Sequence, residues 1–482
     1  MGFYIITVMI DRTVYNKSFK LIKYKSFDDI KYDPNKPRFK DIIWNNYEWL
    51  EELDETGKAR PVILDNIQRT LLCKTLYLGY DAFDCDNCDN WMWLFRHCHS
   101  RFCNSCGIKL QKTLASKAEV MCIDVKHRHM VFTIPSEYRE YFRENRDLLN
   151  ILFVASRNTL MKMFNKSLFA KVRRKKGIVS NPKDNYYLFR NYDNLNIFGE
   201  IATLHSFGRD LKWNPHIHAL VPELIYDSKN NQIKHINHFS YESLRKTWMY
   251  EVNRLLQGYF PNSKEIKRLI NNEYKKRDNG FYVYAKADLK DDGRYTKNIN
   301  SKNVKDCVNY MMRYAGRPVM AESRLISYDS KTNDVSWWYE DHTTNKKIIV
   351  NETGKKLLGK MIIHIPDKDF RMTRYYGFYN NKCNDVLDII NELLGKENKI
   401  HHNRIERKQL LKEKLNKLKF RTQIMDAYNR DVFKCGCGNV FEYVYTYNPL
   451  EGGSNDRQYR KNCIDEMRML WLSRGSPSTN TA

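Results

Sequence analysis

The chain lacks any apolar run approaching the length of a membrane span. Residues Gly2 to Ile10 are apolar but too short, and no small-residue cleavage site follows, so neither an anchor nor a secretory leader is expected. Acidic charge is also in deficit: 57 Asp and Glu face 82 Lys and Arg, for a net charge of +25. An excess spread along the whole chain points to a polyanionic partner, and among polyanions to nucleic acid. Histidine is scarce, at 13 of 482 residues, so chance should supply fewer than about one His-x-His pair. Aromatic residues are plentiful at 13%, with 32 Tyr, so a charged fraction of 29% does not make the chain a disordered polyelectrolyte. Its length allows about two to four domains with at least one sizeable core.

Against that scarcity, three His-x-His pairs occur. His97 and His99 sit inside a cysteine cluster, and His127 and His129 enclose a charged residue, Arg128. Only His216-Ile217-His218 has an apolar middle residue and an apolar run behind it, in Trp213-Asn-Pro-His-Ile-His-Ala-Leu-Val-Pro222. In a strand, residues two apart share a face, so both imidazoles project together from a rigid element, as half of a metal site. Ile201-Ala-Thr-Leu-His205-Ser-Phe207 reads as a preceding strand. A hairpin closed near Phe207 and His216 places His205 opposite His218 as a third ligand, with Asp210 in the loop as its competitor. Three donors with open positions would hold a catalytic divalent ion.

Of the 12 Cys, five crowd between Cys85 and Cys106, a usage that suits metal binding in a reducing compartment. Cys85-x-x-Cys88 and Cys103-x-x-Cys106, separated by a hairpin-sized span, have the spacing of a zinc ribbon. Four thiolates leave no open position, so zinc there would fold the module rather than catalyse. Cys98, His97 and His99 are spare donors. Near the end, Cys435-Gly-Cys437 has a single-residue gap that is poor for chelating one zinc, with only distant Cys463 to join it.

Helical spacing runs through Phe39–Leu53, Pro61–Cys73, Asp147–Phe164, Tyr241–Gln257, Asn303–Arg317 and much of Lys382–Phe420. Strands are expected at His129–Pro135, at Gly280–Lys286, and as a small antiparallel sheet over Arg324–Ser330, Val335–Asp341 and Lys347–Asn351. Lys166–Asp184 reads as a basic loop and Gly475–Ala482 as a disordered tail. Gly354 to Met361 nearly fits a phosphate-binding loop, but its last position carries no hydroxyl for magnesium. Tyr310 and Tyr314 share one helical face a turn apart, with Arg313 and Arg317 nearby. With 32 Tyr, about two such pairs arise by chance, and the spacing alone favours two core tyrosines. Arg374-Tyr-Tyr-Gly-Phe378 could stack bases or simply pack.

The order of these motifs resembles the rolling-circle insertion-sequence transposases with two catalytic tyrosines, within the HUH endonuclease superfamily. The resemblance rests on Cys98-His-Ser-Arg-Phe-Cys103-Asn-Ser-Cys106, His129-Met-Val-Phe-Thr-Ile-Pro135, Leu204-His205 through His216-Ile-His218, Tyr310-Met-Met-Arg-Tyr314-Ala-Gly-Arg317 and Arg374-Tyr-Tyr-Gly377. It spans about Cys73 to Phe378, and departs from the family where the C-terminal cysteine pair is reduced to Cys435-Gly-Cys437. It implies that His216 and His218 bind magnesium or manganese, and that Tyr310 and Tyr314 attack single-stranded transposon ends to give 5′-phosphotyrosine. Arg313, Arg317 and Arg374 would contact DNA. It also implies a bacterial, cytoplasmic, nucleoid-associated protein.

The fold expected is α+β, with an HUH-type antiparallel sheet and flanking helices. Its expected divisions are a helical lead-in (1–72), a zinc ribbon (73–126), a nuclease core (127–330), a small β extension (331–380) and a basic C-terminal region (381–482). Two rival functions stand beside transposition. One is a replication initiator or relaxase with the same chemistry; the other is a non-catalytic zinc-ribbon DNA-binding protein.

Overall fold

A computed structural model describes residues 37–88, 90–166, 195–236, 239–285, 308, 311–312, 316, 318–341, 344–397, 402–428, 431–448 and 457–473. The chain folds as two compact units, one of 1–106, 321–359 and 416–482, the other of 107–320 and 360–415. The architecture is α+β, with antiparallel sheets, as expected.

The second unit is built on a five-stranded antiparallel sheet. Its strands are β1 (His127–Thr133), β2 (Gly199–Phe207), β3 (Trp213–Pro222), β4 (Val283–Tyr284) and β5 (Thr373–Gly377), in the order β5-β2-β3-β1-β4. β3 is central and reads as a nearly continuous apolar run because both of its faces are covered. Ile217, Ala219 and Val221 point to one face, with Phe132 of β1 and Ala202 and Leu204 of β2. There they meet Leu152 and Phe153 of α1 (Leu149–Phe164) and Trp248 and Val252 of α2 (Tyr241–Tyr259). Trp248 also donates its indole N–H to the Thr133 carbonyl at 2.7 Å, tying helix to strand end.

The opposite face carries Ile201 and Leu220, and with them His205, His216 and His218, by the two-residue period. Its core includes Ala115 and Ala118 of helix Asn104–Met121, Leu387 and Ile390 of helix Asn384–Gly395, and Val308, Met311 and Met312. Val308, Met311, Met312 and Gly316 have helical backbone. Gly316 lies so close to the Gln111 backbone that a Cβ there would stand 2.3 Å from its nitrogen, so only glycine fits. At the sheet edge, Gly377 takes φ +60°, and a Cβ would meet the Phe198 carbonyl.

The first unit begins with helices Phe39–Asn45, Tyr47–Glu55 and Pro61–Leu72, the last opened by Pro61 at its first helical position. Helix Arg457–Ser473 returns to them, with Arg460 bonded to Gln68 at 3.2 Å and to Asp65 at 2.5 Å. Two three-stranded sheets complete the unit. One has strand Tyr80–Cys85 between Asn90–Phe95 and Glu442–Tyr447; the other is the expected meander of Leu325–Asp329, Asp334–Glu340 and Lys347–Thr353.

Several expectations need correction. The five divisions in series give way to interleaved segments, because long-range pairing decides membership. Thr373–Gly377 is an edge strand of the central sheet, and Glu442–Tyr447 pairs with Tyr80–Cys85. The Gly280–Lys286 strand shortens to Val283–Tyr284. Gly354–Ile362 is a helix rather than a phosphate loop. The basic loop lies, after Lys166, outside the described residues, as does the C-terminal tail.

Candidate metal centres

Among the described residues, three groups of side chains converge with metal-ligand geometry. Two are thiol tetrads in the first unit. The hairpin of Tyr80–Cys85 and Asn90–Phe95 pairs Tyr80 with Phe95 and Cys85 with Asn90. Cys85 and Cys88 therefore occupy its tip, while Cys73 and Cys98 flank its base. Six residues of strand hold the two ends about 20 Å apart. The single ribbon expected from Cys85, Cys88, Cys103 and Cys106 is thus not formed: the span between the knuckles is rigid strand and cannot fold back on itself.

Each pair finds other partners. At the base, Cys73, Cys98, Cys103 and Cys106 gather, with Sγ–Sγ distances of 3.6 Å for Cys73–Cys106 and 3.5 Å for Cys98–Cys106. At the tip, Cys85 and Cys88 meet Cys435 and Cys437, at 3.5 Å for Cys85–Cys437 and 3.4 Å for Cys88–Cys435. A tetrahedral zinc with bonds near 2.3 Å needs sulfurs about 3.8 Å apart, so both sets fit that ion. His97, His99 and Cys463 belong to neither group. The short Cys435-Gly-Cys437 gap works because the turn is pinned, with Cys435 N–H on the Asn439 carbonyl at 2.7 Å. The Asn439 backbone N–H also holds the Cys437 thiol down to about 6.

Donors surround the sulfurs, as thiolates require. The Cys98 and Ser100 backbone N–H groups point at Cys73 and Cys98 Sγ, each at 3.4 Å, and the Asn90 amide reaches Cys88 Sγ at 3.0 Å. Lys40 donates to the Leu71 and Cys73 carbonyls, both at 3.1 Å, placing its charge beside the base tetrad.

The third group, in the second unit, is His205, His216 and His218. His205 Nδ1 lies 3.3 Å from His216 Nε2, which lies 3.0 Å from His218 Nε2. Nitrogens about 3 Å apart suit neighbouring positions on an octahedral ion with bonds near 2.1 Å. The register corrects the expected hairpin: His205 pairs with His216, and Thr203 with His218, because the loop closes at Phe207 and Trp213. The face is as expected, since the error is two residues, a full side-chain period. Asp210 stays in its own loop, accepting from Lys212 N–H at 3.3 Å and pairing with the Lys212 ammonium at 3.0 Å.

Outer partners fix the rings. His216 Nδ1 donates to the Asn214 carbonyl at 2.6 Å, which leaves Nε2 as its free lone pair. His218 Nδ1 meets His129 Nε2 at 2.8 Å, the two rings within 5° of coplanar. Burial holds His216 and His129 down to about 4 and His218 well below its ordinary value, so all three are neutral at pH 7, the form that ligates.

His129, in contact with His218, is the neighbour of the histidine group that the residue pattern alone does not select. Its pair with His127 was discounted for the charged Arg128 between them. Arg128 points to the other face, where Glu223 accepts from its Nε at 2.9 Å and the guanidinium lies 4.5 Å from the Phe239 ring. The signal that could have found it was a second His-x-His with an acidic partner for its middle residue.

Tyr310, Tyr314, Arg313 and Arg317 lie outside the described residues. Arg374 is not with the histidines. It pairs with Ala202, on the opposite face of the sheet, and its guanidinium lies 4.3 Å from the Phe153 ring and donates to Asn150.

Residues 199–386 match the protein family described as "Putative transposase", and residues 44–134 the family described as "Transposase zinc-binding domain". The chain is 28% identical, over 74% of its length and 79% of the relative's, to the transposase for insertion sequence element IS801 of Pseudomonas savastanoi pv. phaseolicola. It is 21% identical, over 69% of its length and 81% of the relative's, to the protein named "Putative transposase y4qJ" of Sinorhizobium fredii (strain NBRC 101917 / NGR234). No solved structure matches it significantly. Among the described residues, no helix is long and apolar enough to cross a membrane.

Proposed function

We propose that this chain, which belongs to the IS91-type insertion-sequence transposases, nicks and rejoins single-stranded DNA at transposon ends, with Tyr310 and Tyr314 as nucleophiles and the histidine group as its metal centre. The observation that carries this reading is the convergence of three imidazoles on one point of a rigid sheet, with His216 and His218 held neutral by burial. His205, His216 and His218 would hold a magnesium or manganese ion, which when bound supplies Lewis-acid polarisation of the scissile phosphate. Asn214 and His129 keep two of the rings oriented with the free nitrogen inward.

The tyrosine segment has support from its described neighbours. Val308, Met311 and Met312 pack into the core on the histidine-bearing face of the sheet, and Gly316 is pressed against Gln111. A phenol with its pKa near about 10 is a poor nucleophile at neutral pH without such a polarised target. One tyrosine oxygen attacks phosphorus, the 3′-oxygen leaves with a proton, and a 5′-phosphotyrosine ester remains. That ester keeps the energy of the cut bond, so a second strand's 3′-hydroxyl can displace the phenol without ATP. Two tyrosines let one hold the donor strand while the other attacks next.

The two thiol tetrads fit zinc in a folding role, since four sulfurs leave no position for substrate. The excess of 82 basic over 57 acidic residues suits DNA as the partner. The test is a labelled single-stranded transposon end incubated with manganese and resolved on a denaturing gel. Wild type should give a covalent adduct, each single Tyr→Phe variant should alter its yield, and Tyr310→Phe with Tyr314→Phe should give none. An adduct from the double variant would sink the mechanism.

A further inference from the structure

Across the central sheet from the histidines, one helix shows solvent a face that its own stability does not explain. Helix α3 (Lys264–Lys276) is opened by Ser263, whose hydroxyl accepts from the Ile266 N–H at 3.2 Å. Its inner side is seated in the core that also holds Trp248 and Phe132, with Ile266 2% and Ile270 9% exposed. At about 100° per residue, Lys264, Lys267, Arg268, Asn271 and Lys275 share an outer arc of roughly 100° opposite those isoleucines. All five are exposed.

The arc is cationic without compensation. The acids of this helix are turned elsewhere: Glu265 accepts from the Tyr141 hydroxyl, and buried Glu273 from Arg277 Nε at 2.6 Å. Among the described residues, no carboxylate pairs with Lys264, Lys267, Arg268 or Lys275. Other helices of this unit answer their bases. Lys246 has Glu242 at 2.6 Å, Arg407 has Asp388 at 2.7 Å and Lys414 has Glu119 at 2.9 Å. Helix Arg404–Asn416 does expose Arg404, Lys408 and Lys412, but Glu406 and Glu413 lie among them.

Helix stability argues against the arrangement on α3. Lys264 sits in the first turn, where the macrodipole disfavours a cation, and it faces Lys267 and Arg268 at like-charge spacings of three and four residues. A polyanion laid along the arc removes both penalties. A membrane surface also offers anions, but a helix lying in one needs a free apolar side, and here that side is packed. The row from Lys264 to Lys275 is about 16 Å long at 1.5 Å per residue. A DNA duplex presents one phosphate charge per about 1.7 Å of its axis, twice the density of one strand. Surfaces for single strands set rings among their cations to stack on bases, and this arc contains no ring.

We propose that the outer face of α3 docks double-stranded DNA by its phosphates, the duplex being the flank of the strand that the histidine centre takes up. This rests on the preceding reading only in that the chain works on DNA. The sheet separates α3 from the imidazoles, so the duplex and the cut strand occupy different surfaces.

The test measures affinity of the full chain against salt for a blunt random-sequence duplex and for oligothymidylate of equal length. Lys264→Gln with Arg268→Gln and Lys275→Gln should flatten the duplex slope of log affinity on log salt by roughly 2.7, three phosphate contacts at roughly 0.9 each. Its oligothymidylate slope should match wild type, as should its adduct yield on a bare single-stranded transposon end with manganese. The control Arg404→Gln with Lys408→Gln and Lys412→Gln removes as much charge and should keep the wild-type duplex slope. Lys264→Arg with Arg268→Lys and Lys275→Arg should keep it too. The melting temperature of the α3 glutamine variant should hold or rise, because like charges are removed.

A duplex slope equal in wild type and the α3 glutamine variant overturns the proposal, as does equal flattening in the control. Flattening on oligothymidylate as large as on the duplex overturns it in favour of a single strand. If wild type forms no adduct, the cutting reading fails, while the duplex slope still decides what α3 holds. Should the triple variant melt lower, the three single glutamine variants decide: a flattening of roughly 0.9 in each supports docking, and none overturns it.

Discussion

The thiol tetrads and the histidine triad are built in opposite ways. Each tetrad joins pieces far apart in sequence, Cys73 with Cys106 and Cys85 with Cys437, and closes its coordination with four soft donors. The triad comes from one hairpin of neighbouring strands, and its three donors leave positions open. The difference teaches what each centre is for. Closed sites gathered from distant chain convert metal binding into folding energy, whereas an open site needs a scaffold that is already rigid.

The largest effects should come from the tetrads. Cys98→Ala should remove one of two zinc ions per chain and unfold the base of the hairpin, since structural zinc contributes on the order of 10 kcal/mol. Cys437→Ser changes an exposed residue at the tip and should release the other zinc while leaving the base tetrad loaded. Metal content by elemental analysis, with hydrogen exchange over Glu442–Tyr447, separates these outcomes. If either variant lost both ions, the two tetrads would not be independent sites.

Next in size is the support of the triad. His129→Gln should weaken manganese binding by about 10- to 100-fold, the usual cost of an outer partner, while Asp210→Asn should leave it unchanged. Calorimetric titration of the full chain reads both. Equal affinities in wild type and His129→Gln would mean that the 2.8 Å contact does not orient His218.

Much of this comparison was legible in the residues, and the rest was not for physical reasons. His216-Ile-His218 announced itself because its middle residue is apolar and a strand's period puts both rings on one face. His205 was found on the correct face, though two residues out of register, because register depends on where the loop closes. The cysteines were recognised as ligands but wrongly grouped. Local spacing cannot show that a hairpin between two knuckles is stiff, or that Cys435 and Cys437 return from about 350 residues away to complete a site. The interleaving of the two units was hidden for the same reason, since edge strands such as Thr373–Gly377 join sheets through long-range pairing.

The smallest effect contrasts the neutral histidines with a buried acid on the other face of the same sheet. Burial pushes the Glu200 carboxyl up to about 8, against smaller pulls from Ser156 and Arg157. The folded state then keeps a proton that the unfolded chain releases near about 4.3. Stability contributed by the protonated form is therefore lost as pH rises from there through about 8, at up to about 1.4 kcal/mol per unit. Glu200→Gln should flatten that dependence, raising the melting temperature more at pH 9 than at pH 5. A gain equal at both values would contradict the assigned shift.

The account stands on the histidine centre holding a divalent ion that the thiols do not. Crystals of the full chain soaked in manganese, with anomalous data collected at the manganese and zinc edges, test this directly. The expected map has a manganese peak within bonding distance of His205, His216 and His218 and a zinc peak in each tetrad. Zinc in the tetrads with no manganese at the three imidazoles would contradict the account and leave a zinc-bearing DNA-binding protein.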